Sequence, residues 1–411
     1  MKRSVPRGPE QRRSGLTGLI DAVWPGCYLV AGGSPDGAGR RLASLRALPN
    51  AMEPRVLVPA RSHRAAASAL LQYNDGMPQH ARMRKAAVAA LLRSPLTSII
   101  GTRLDVVALD VDAASVLIHE IEQVFDGGRV RIAVALGEPL RPNRKPVLCV
   151  MTEQGHVLGY VKIGWNALTK RLVSNEANVL RAMSGYPPTA FRVPRVLHEA
   201  EIGDAHLTVL SPLPHSLWRR GRLGAPPPFQ AVREVAFRQR FDDGPLAGSE
   251  YERAVHGRIA AVADPIRRSA LAGLFAGIVE TSAAGTIAFG AWHGDWTPWN
   301  LARTRTGLQV WDWERSGGPV PVGMDPIHHR FLFGWRGGGN VERLASDAIM
   351  ASRDVLVRLG VDVTHHQSVL LTYLFELLLR FEEGRAAGLP TSSRASELQR
   401  FLESETTRAR R

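Results

Sequence analysis

Apolar positions along this chain change their period twice. Residues 19–90 carry short apolar runs broken by turns. Val56-Leu57-Val58-Pro59 reads as a short strand stopped by proline. Residues 63–73 and 79–92 are alanine-rich and read as helices. Residues 113–125 place Val116, Leu117, Ile121 and Val124 on one side at helical spacing. Asp126-Gly127-Gly128 then breaks the chain, and the period becomes that of strands. Residues 131–136, 146–152 and 157–163 are three apolar runs, joined by a polar loop at 139–145 and a Gln154-Gly155 turn. Two such tight connections predict an antiparallel meander. A helix over about residues 174–183 and a strand over 206–210 complete this region. Pro212, Pro214 and Pro226 to Pro228 mark a hinge followed by an irregular insertion. From about Glu250 onward the spacing returns to that of helices, with a core helix over 373–381 and a polar, frayed end over 403–411.

Length and composition fit a globular chain of two or three domains: 411 residues, 45% hydrophobic and 22% charged. The segments expected are a disordered basic tail over 1–16, an N-terminal accessory region over 17–125, a strand-rich part over 126–213 and a mostly helical part over 214–411. Cys27 and Cys149, the only cysteines, lie far apart, which argues against a disulfide framework and a cysteine-rich metal site. A reducing cytoplasm is the simplest setting. The apolar stretch over 270–292 contains Glu280, Thr281 and Ser282, and fits a buried helix and strand better than a membrane span. Residues 1–100 hold 15 Lys and Arg against 5 Asp and Glu, so +10 of the formal +14 belongs to them. That excess is either a solvated basic surface or a contact for an anionic surface. No nucleic-acid-binding signature accompanies it, and no nucleic-acid partner is expected.

The candidate chemistry is concentrated in His293-Gly294-Asp295-Trp296-Thr297-Pro298-Trp299-Asn300. Twelve residues further on, Asp312 follows an apolar run in Trp311-Asp312-Trp313-Glu314. An aspartate can orient a hydroxyl and take its proton. An asparagine carbonyl and a second carboxylate are hard oxygen ligands for Mg²⁺. Phosphoryl transfer from ATP needs such parts, because its catalysis is mostly positioning and charge neutralisation. Lys162 lies between apolar neighbours on the third strand of the meander, where an unpaired charge is costly. Glu176, fourteen residues on and read as the start of the next helix, is its candidate partner. Such a pair holds ATP phosphates in kinases. Asn143 and Arg144, in the loop between the first two strands, are candidate phosphate contacts; an ordinary turn with solvated charges explains them equally well. Glu314 is a metal contact or a structural partner. Asp325 is a helix cap or a brace for the loop. His328 and His329 lack the further ligands a metal site would need. The five tryptophans at 292, 296, 299, 311 and 313 are expected mainly to pack beneath the loop, with one or two stacking on an acceptor.

Lys162, Glu176, Asp295, Asn300 and Asp312 occur in the order and rough spacing of the aminoglycoside phosphotransferase and choline kinase group. The chain resembles that family of small-molecule kinases over residues 128–381. The resemblance implies an α+β, two-lobed protein-kinase-like fold, with an antiparallel-sheet N-lobe and a mostly helical C-lobe; residues before 126 form an additional N-terminal α/β region. It implies ATP and Mg²⁺ as cofactors and a small hydroxylated molecule as acceptor: a sugar, amino sugar, amino alcohol or aminoglycoside. Lys162 then holds phosphate, Glu176 holds Lys162, Asp295 is the base, and Asn300 and Asp312 bind Mg²⁺. The chain departs from the pattern in its Pro- and Arg-containing phosphate loop and in Thr297, where many members carry histidine. Two other readings use these residues: a catalytically silent nucleotide-binding scaffold docking through its basic N-terminal region, and transfer of a nucleotidyl group.

Overall fold

A computed structural model describes residues 20, 23–31, 39–72, 79–94, 97, 99–136, 146–214, 227–239, 241–282, 285–388 and 392–410. The basic tail over 1–16 lies outside the described residues. The chain divides into two compact units, Met1–Ala177 with Pro194–Leu217, and Asn178–Val193 with Trp218–Arg411.

The first unit is built on one nine-stranded sheet, with every neighbouring pair antiparallel. Its strands are β1 (Cys27–Ala31), β2 (Arg40–Leu48), β3 (Val56–Pro59), β4 (Thr102–Ala108), β5 (Arg131–Ala135), β6 (Val147–Met151), β7 (Val157–Gly164), β8 (Val196–Ile202) and β9 (Ala205–Leu210). The order is β1-β4-β2-β3-β5-β6-β7-β9-β8. The expected meander is β5-β6-β7, and β3 pairs with β5, so the N-terminal strands extend the same sheet. Period-two alternation sorts the core onto two faces. Ile132, Val134, Leu148, Val150, Val161 and Ile163 share one cluster with Leu117 and Ile121 of helix α3 (Val111–Val124). Ala133, Cys149 and Met151 point the other way, into a cluster with α1 (His63–Gln72) and residues of α2 (Gln79–Leu92). Burial pushes the Cys149 thiol up to about 12, so it is a packing residue rather than a nucleophile. Part of the N-terminal positive charge is neutralised locally: the buried Asp105 carboxylate takes Arg41 at 3.2 Å and Arg103 at 3.3 Å.

Two local expectations change here. Helix α4 spans Ala167–Gly185, which places Glu176 in the helix interior rather than at its start. Its beginning is set by a reciprocal cap. The Asn166 side chain accepts the Thr169 amide at 2.9 Å, and the Thr169 hydroxyl accepts the Asn166 amide at 3.1 Å. Strand β8 was not expected. Among the described residues it pairs with β9 alone, at the sheet's end, and its His198, Glu199 and Glu201 hide the apolar signal.

The second unit is mostly helical: α5 (Phe229–Ala236), α6 (Glu250–Ala260), α7 (Pro265–Thr281), α8 (Met324–Arg336), α9 (Val341–Arg358), α10 (His366–Ala386) and α11 (Ser393–Ala409). Two small two-stranded antiparallel sheets accompany them, β10 (Phe289–Trp292) with β13 (Gly317–Pro321), and the hairpin of β11 (Leu301–Thr304) with β12 (Gly307–Val310). The apolar stretch over 270–292 becomes α7 and β10. Helix α10 is buried on nearly all sides between α7, α8, α9 and α11, as its all-round apolar sequence requires. The expected insertion contains α5, held by buried Ala231, Val232, Val235 and Ala236. The C-terminal end is not frayed: α11 continues to Ala409, capped by Ser392 and seated through Leu398, Leu402 and Thr406. Among the described residues no helix is long and apolar enough to cross a membrane.

Candidate active site

The loop that leaves β10 carries His293 to Asn300, and its shape follows from three constraints. Gly294 has φ +79°, and a Cβ there would collide with the Arg315 carbonyl, so only glycine fits. His293 is wholly buried, with its ring 4.3 Å from that of Trp313 and edge-on to Trp296 at 5.5 Å. Asp325, in the first turn of α8, accepts the backbone amides of His293 at 2.7 Å and Gly294 at 3.1 Å. Of the two roles open to Asp325, the structure therefore shows the brace; the cap position belongs to Gly323.

The tautomer of His293 is dictated by its neighbours. Its Nδ1 accepts the Asp295 amide at 3.1 Å, and its Nε2 faces the Trp311 carbonyl at 3.1 Å. A carbonyl only accepts, so Nε2 carries the proton and the ring is neutral. Burial pushes this imidazole down to about 4, although Asp295 and Asp312 oppose the shift. Between about pH 6.5 and 4 the unfolded chain binds a proton at His293 and the folded chain does not. Its contribution is therefore lost as pH falls through that window. Asp325 runs the other way, because burial pushes its carboxyl up to about 7 against the two amide hydrogen bonds. A His293→Asn variant isolates the histidine. The stability gap between wild type and variant, measured by urea unfolding, is expected to shrink by up to about 3 kcal/mol between pH 7 and pH 4. A gap that does not change with pH rules out this neutral, buried state.

Asp295 has both carboxylate oxygens held. Asn300 Nδ2 donates to Oδ2 at 2.9 Å and to the Asp295 carbonyl at 2.9 Å, and His328 Nε2 lies 3.0 Å from Oδ1. The side chain remains 27% exposed, enough for a solute to reach it. Burial alone raises this carboxyl, but the His328 hydrogen bond and the nearby Arg380 charge outweigh it and hold the group well below the usual carboxylate range. Arg380, on α10, also donates to the Gly294 carbonyl at 2.7 Å.

The twelve-residue interval from Asn300 to Asp312 is the length of a hairpin. Leu301 pairs with Val310 across β11 and β12, and the Trp311 amide donates to the Asn300 carbonyl at 3.2 Å. Asp312 follows at once, in a left-handed conformation at φ +69° that is uncommon for a non-glycine residue. Because Asn300 spends Nδ2 on Asp295, its Oδ1 is the atom left to act as a ligand. Asp312 and Glu314 offer carboxylate oxygens within 4.8 Å of one another. Hard oxygen donors in this number suit Mg²⁺, which keeps several waters and takes few protein ligands. The turn after Asp312 is tied to the helices through Arg315, which donates to Glu383 at 2.7 Å; Arg258 joins Glu383 at 3.1 Å and Glu376 at 2.7 Å.

In the first unit, Lys162 Nζ lies 2.5 Å from Glu176 Oε2, and both residues are buried. Lys162 alternates with Val161 and Ile163, which face the α3 side of the sheet, so its side chain leaves from the other face. Asn143 and Arg144 lie outside the described residues. Three of the five tryptophans, Trp292, Trp296 and Trp313, are core, and Phe191 stacks on Trp313 at 5.6 Å. Trp299 and Trp311 are half-buried, with the Arg336 guanidinium 3.8 Å from the centre of the Trp299 ring. His328 and Arg380 had no assigned role in the sequence. They stand 33 and 85 residues from Asp295, and no local spacing signals them.

An antiparallel sheet with a buried strand-to-helix Lys–Glu pair, and a helical unit with an Asp–Asn loop, hairpin and second Asp, are therefore both present. Solved structures similar to this chain include a thermostable mutant of aminoglycoside phosphotransferase APH(4)-Ia, at 13% identity and TM-score 0.42, covering 70% of this chain and 98% of that one. A putative fructosamine-3-kinase from Haemophilus somnus matches at 13% identity and TM-score 0.44, over 69% and 96%. The GDP complex of aminoglycoside 2'-phosphotransferase-IIIa matches at 12% identity and TM-score 0.45, over 69% and 96%. No protein-family model and no curated protein sequence matches the chain.

Proposed function

We propose that this protein is an ATP-dependent phosphotransferase that moves the γ-phosphoryl group to a hydroxyl of a small molecule. The observation that carries the reading is the Asp295 carboxylate. It is ionised, reachable by a solute and held at both oxygens, and the hairpin behind it brings Asn300 and Asp312 together. In this reading the acceptor oxygen attacks the γ-phosphorus, the bond from that phosphorus to the β,γ-bridging oxygen breaks, and ADP leaves. Asp295 orients the hydroxyl and takes its proton. Asn300 Oδ1 and the Asp312 carboxylate hold Mg²⁺, which neutralises charge on the phosphate oxygens. Lys162, held by Glu176, contacts phosphate. Residues 126–213 serve the nucleotide and residues 214–411 the acceptor. The half-buried Trp299 and Trp311 offer flat apolar faces to a sugar or amino-alcohol acceptor.

The test is mass spectrometry of the purified protein with Mg²⁺, ATP labelled with oxygen-18 in its γ-phosphoryl group, and a pool of sugars, amino sugars and amino alcohols. A labelled phosphoryl product is expected with wild type, and none with Asp295→Ala or after chelation of Mg²⁺. A protein that fails to bind Mg·ATP overturns the site assignment.

A further inference from the structure

We infer that His328 is a positioning residue for Asp295, an inference that rests on the function proposed above. His328 lies in the first turns of α8 and is wholly inaccessible to solvent. Its Nε2 faces Asp295 Oδ1 at 3.0 Å. An ionised carboxylate only accepts, so Nε2 donates. The other ring nitrogen, Nδ1, is buried with no hydrogen-bond partner. The ring packs edge-on to Tyr373, 5.6 Å between centroids, in a pocket where an aliphatic side chain would leave no polar atom stranded. An imidazole here is thus a poor choice for packing, and its single polar contact is the carboxylate assigned as base.

The helix places this contact in register with the brace. Asp325 and His328 are three residues apart and share one face of α8. Asp325 holds the loop backbone through two amides, His329 Nδ1 lies 3.3 Å from the Trp296 carbonyl, and His328 reaches the side chain. Asn300 fixes Oδ2 from the opposite side. With one donor on each oxygen, the plane of the Asp295 carboxylate is set, and its remaining lone pairs point in a defined direction. Without His328 the carboxylate turns about its Cβ–Cγ bond while staying ionised and accessible. That is a loss of orientation rather than of binding.

The experiment compares wild type, His328→Leu, His328→Gln and Asp295→Ala in steady-state turnover of Mg·ATP, with water and the acceptor pool as phosphoryl acceptors. His328→Leu is expected to lower kcat about 100-fold with KM for Mg·ATP unchanged. His328→Gln, whose amide can donate from nearly the same place, recovers at least about a tenth of wild-type kcat. In parallel, nitrogen-15 NMR of histidine-labelled protein should show, in addition to the His293 signal, a neutral ring protonated at Nε2 that disappears in His328→Gln and shifts in Asp295→Ala. Equal kcat for the leucine and glutamine variants, or a His328 signal indifferent to Asp295→Ala, overturns the inference. The two failures are separable. If Asp295→Ala keeps wild-type turnover, the functional reading falls; if it is dead while His328→Leu is fully active, only the role of His328 falls.

Discussion

Replacing Asp295 with asparagine is expected to lower kcat about 100- to 10,000-fold, the range for removing a positioned general base, while leaving Mg·ATP binding in place. The substitution keeps size and shape, so the loss reports chemistry. It also disturbs the local hydrogen bonds in a way the structure specifies. Both oxygens of Asp295 accept, one from Asn300 Nδ2 and one from His328 Nε2. An asparagine has one oxygen and one amide nitrogen. If its oxygen stays with His328, its NH₂ faces the Asn300 NH₂, donor against donor. If it turns over, its NH₂ meets His328, which must then move its proton to Nδ1. A modest loss of stability is therefore expected with the loss of activity. Measuring kcat, KM for Mg·ATP and the unfolding midpoint on one preparation separates the two. A variant with kcat within about threefold of wild type would remove Asp295 from the chemistry.

The second large effect is expected in stability. Lys162 and Glu176 are buried side by side, their side chains 10% and 1% exposed. Replacing Lys162 with methionine takes the lysine from a carboxylate that stays in the interior. Breaking a buried pair from one side costs about 3–5 kcal/mol. The double variant Lys162→Met with Glu176→Met is expected to regain more than half of that loss, because two apolar side chains of similar volume remove both buried charges together. Urea unfolding of wild type, the two single variants and the double variant gives the coupling directly. Additive single losses would mean that the pair does not act as a unit. If Lys162 also contacts phosphate, the double variant regains stability without regaining affinity for Mg·ATP.

Much of the second unit's loop was legible because its contacts are local. Asp295, Asn300 and Asp312 lie within one loop and one hairpin, and pairing of Leu301 with Val310 alone places Asn300 beside the start of Trp311-Asp312. The meander β5-β6-β7 was legible for the same reason, its strands being joined by short connections. The start of α4 was written in Asn166 and Thr169, but the cap precedes the part of the helix where the apolar spacing is clear. The C-terminal helix was concealed by its polar face, since only about one residue per turn is buried.

By itself, then, the sequence determined the alternation that makes the sheet, the helical spacing of the second unit, and the loop and hairpin that carry Asp295, Asn300 and Asp312. These follow from backbone geometry over a few residues, where the period and the turn leave few alternatives. Only the tertiary structure decided that the N-terminal strands join the sheet at β3, that Asp325 braces the loop rather than capping α8, that His328 meets the Asp295 carboxylate and that Arg380 holds the Gly294 carbonyl. Those contacts join residues 31 to 86 positions apart. Which donor meets which acceptor at such separations is set by how helices pack, and each side chain alone is compatible with many partners.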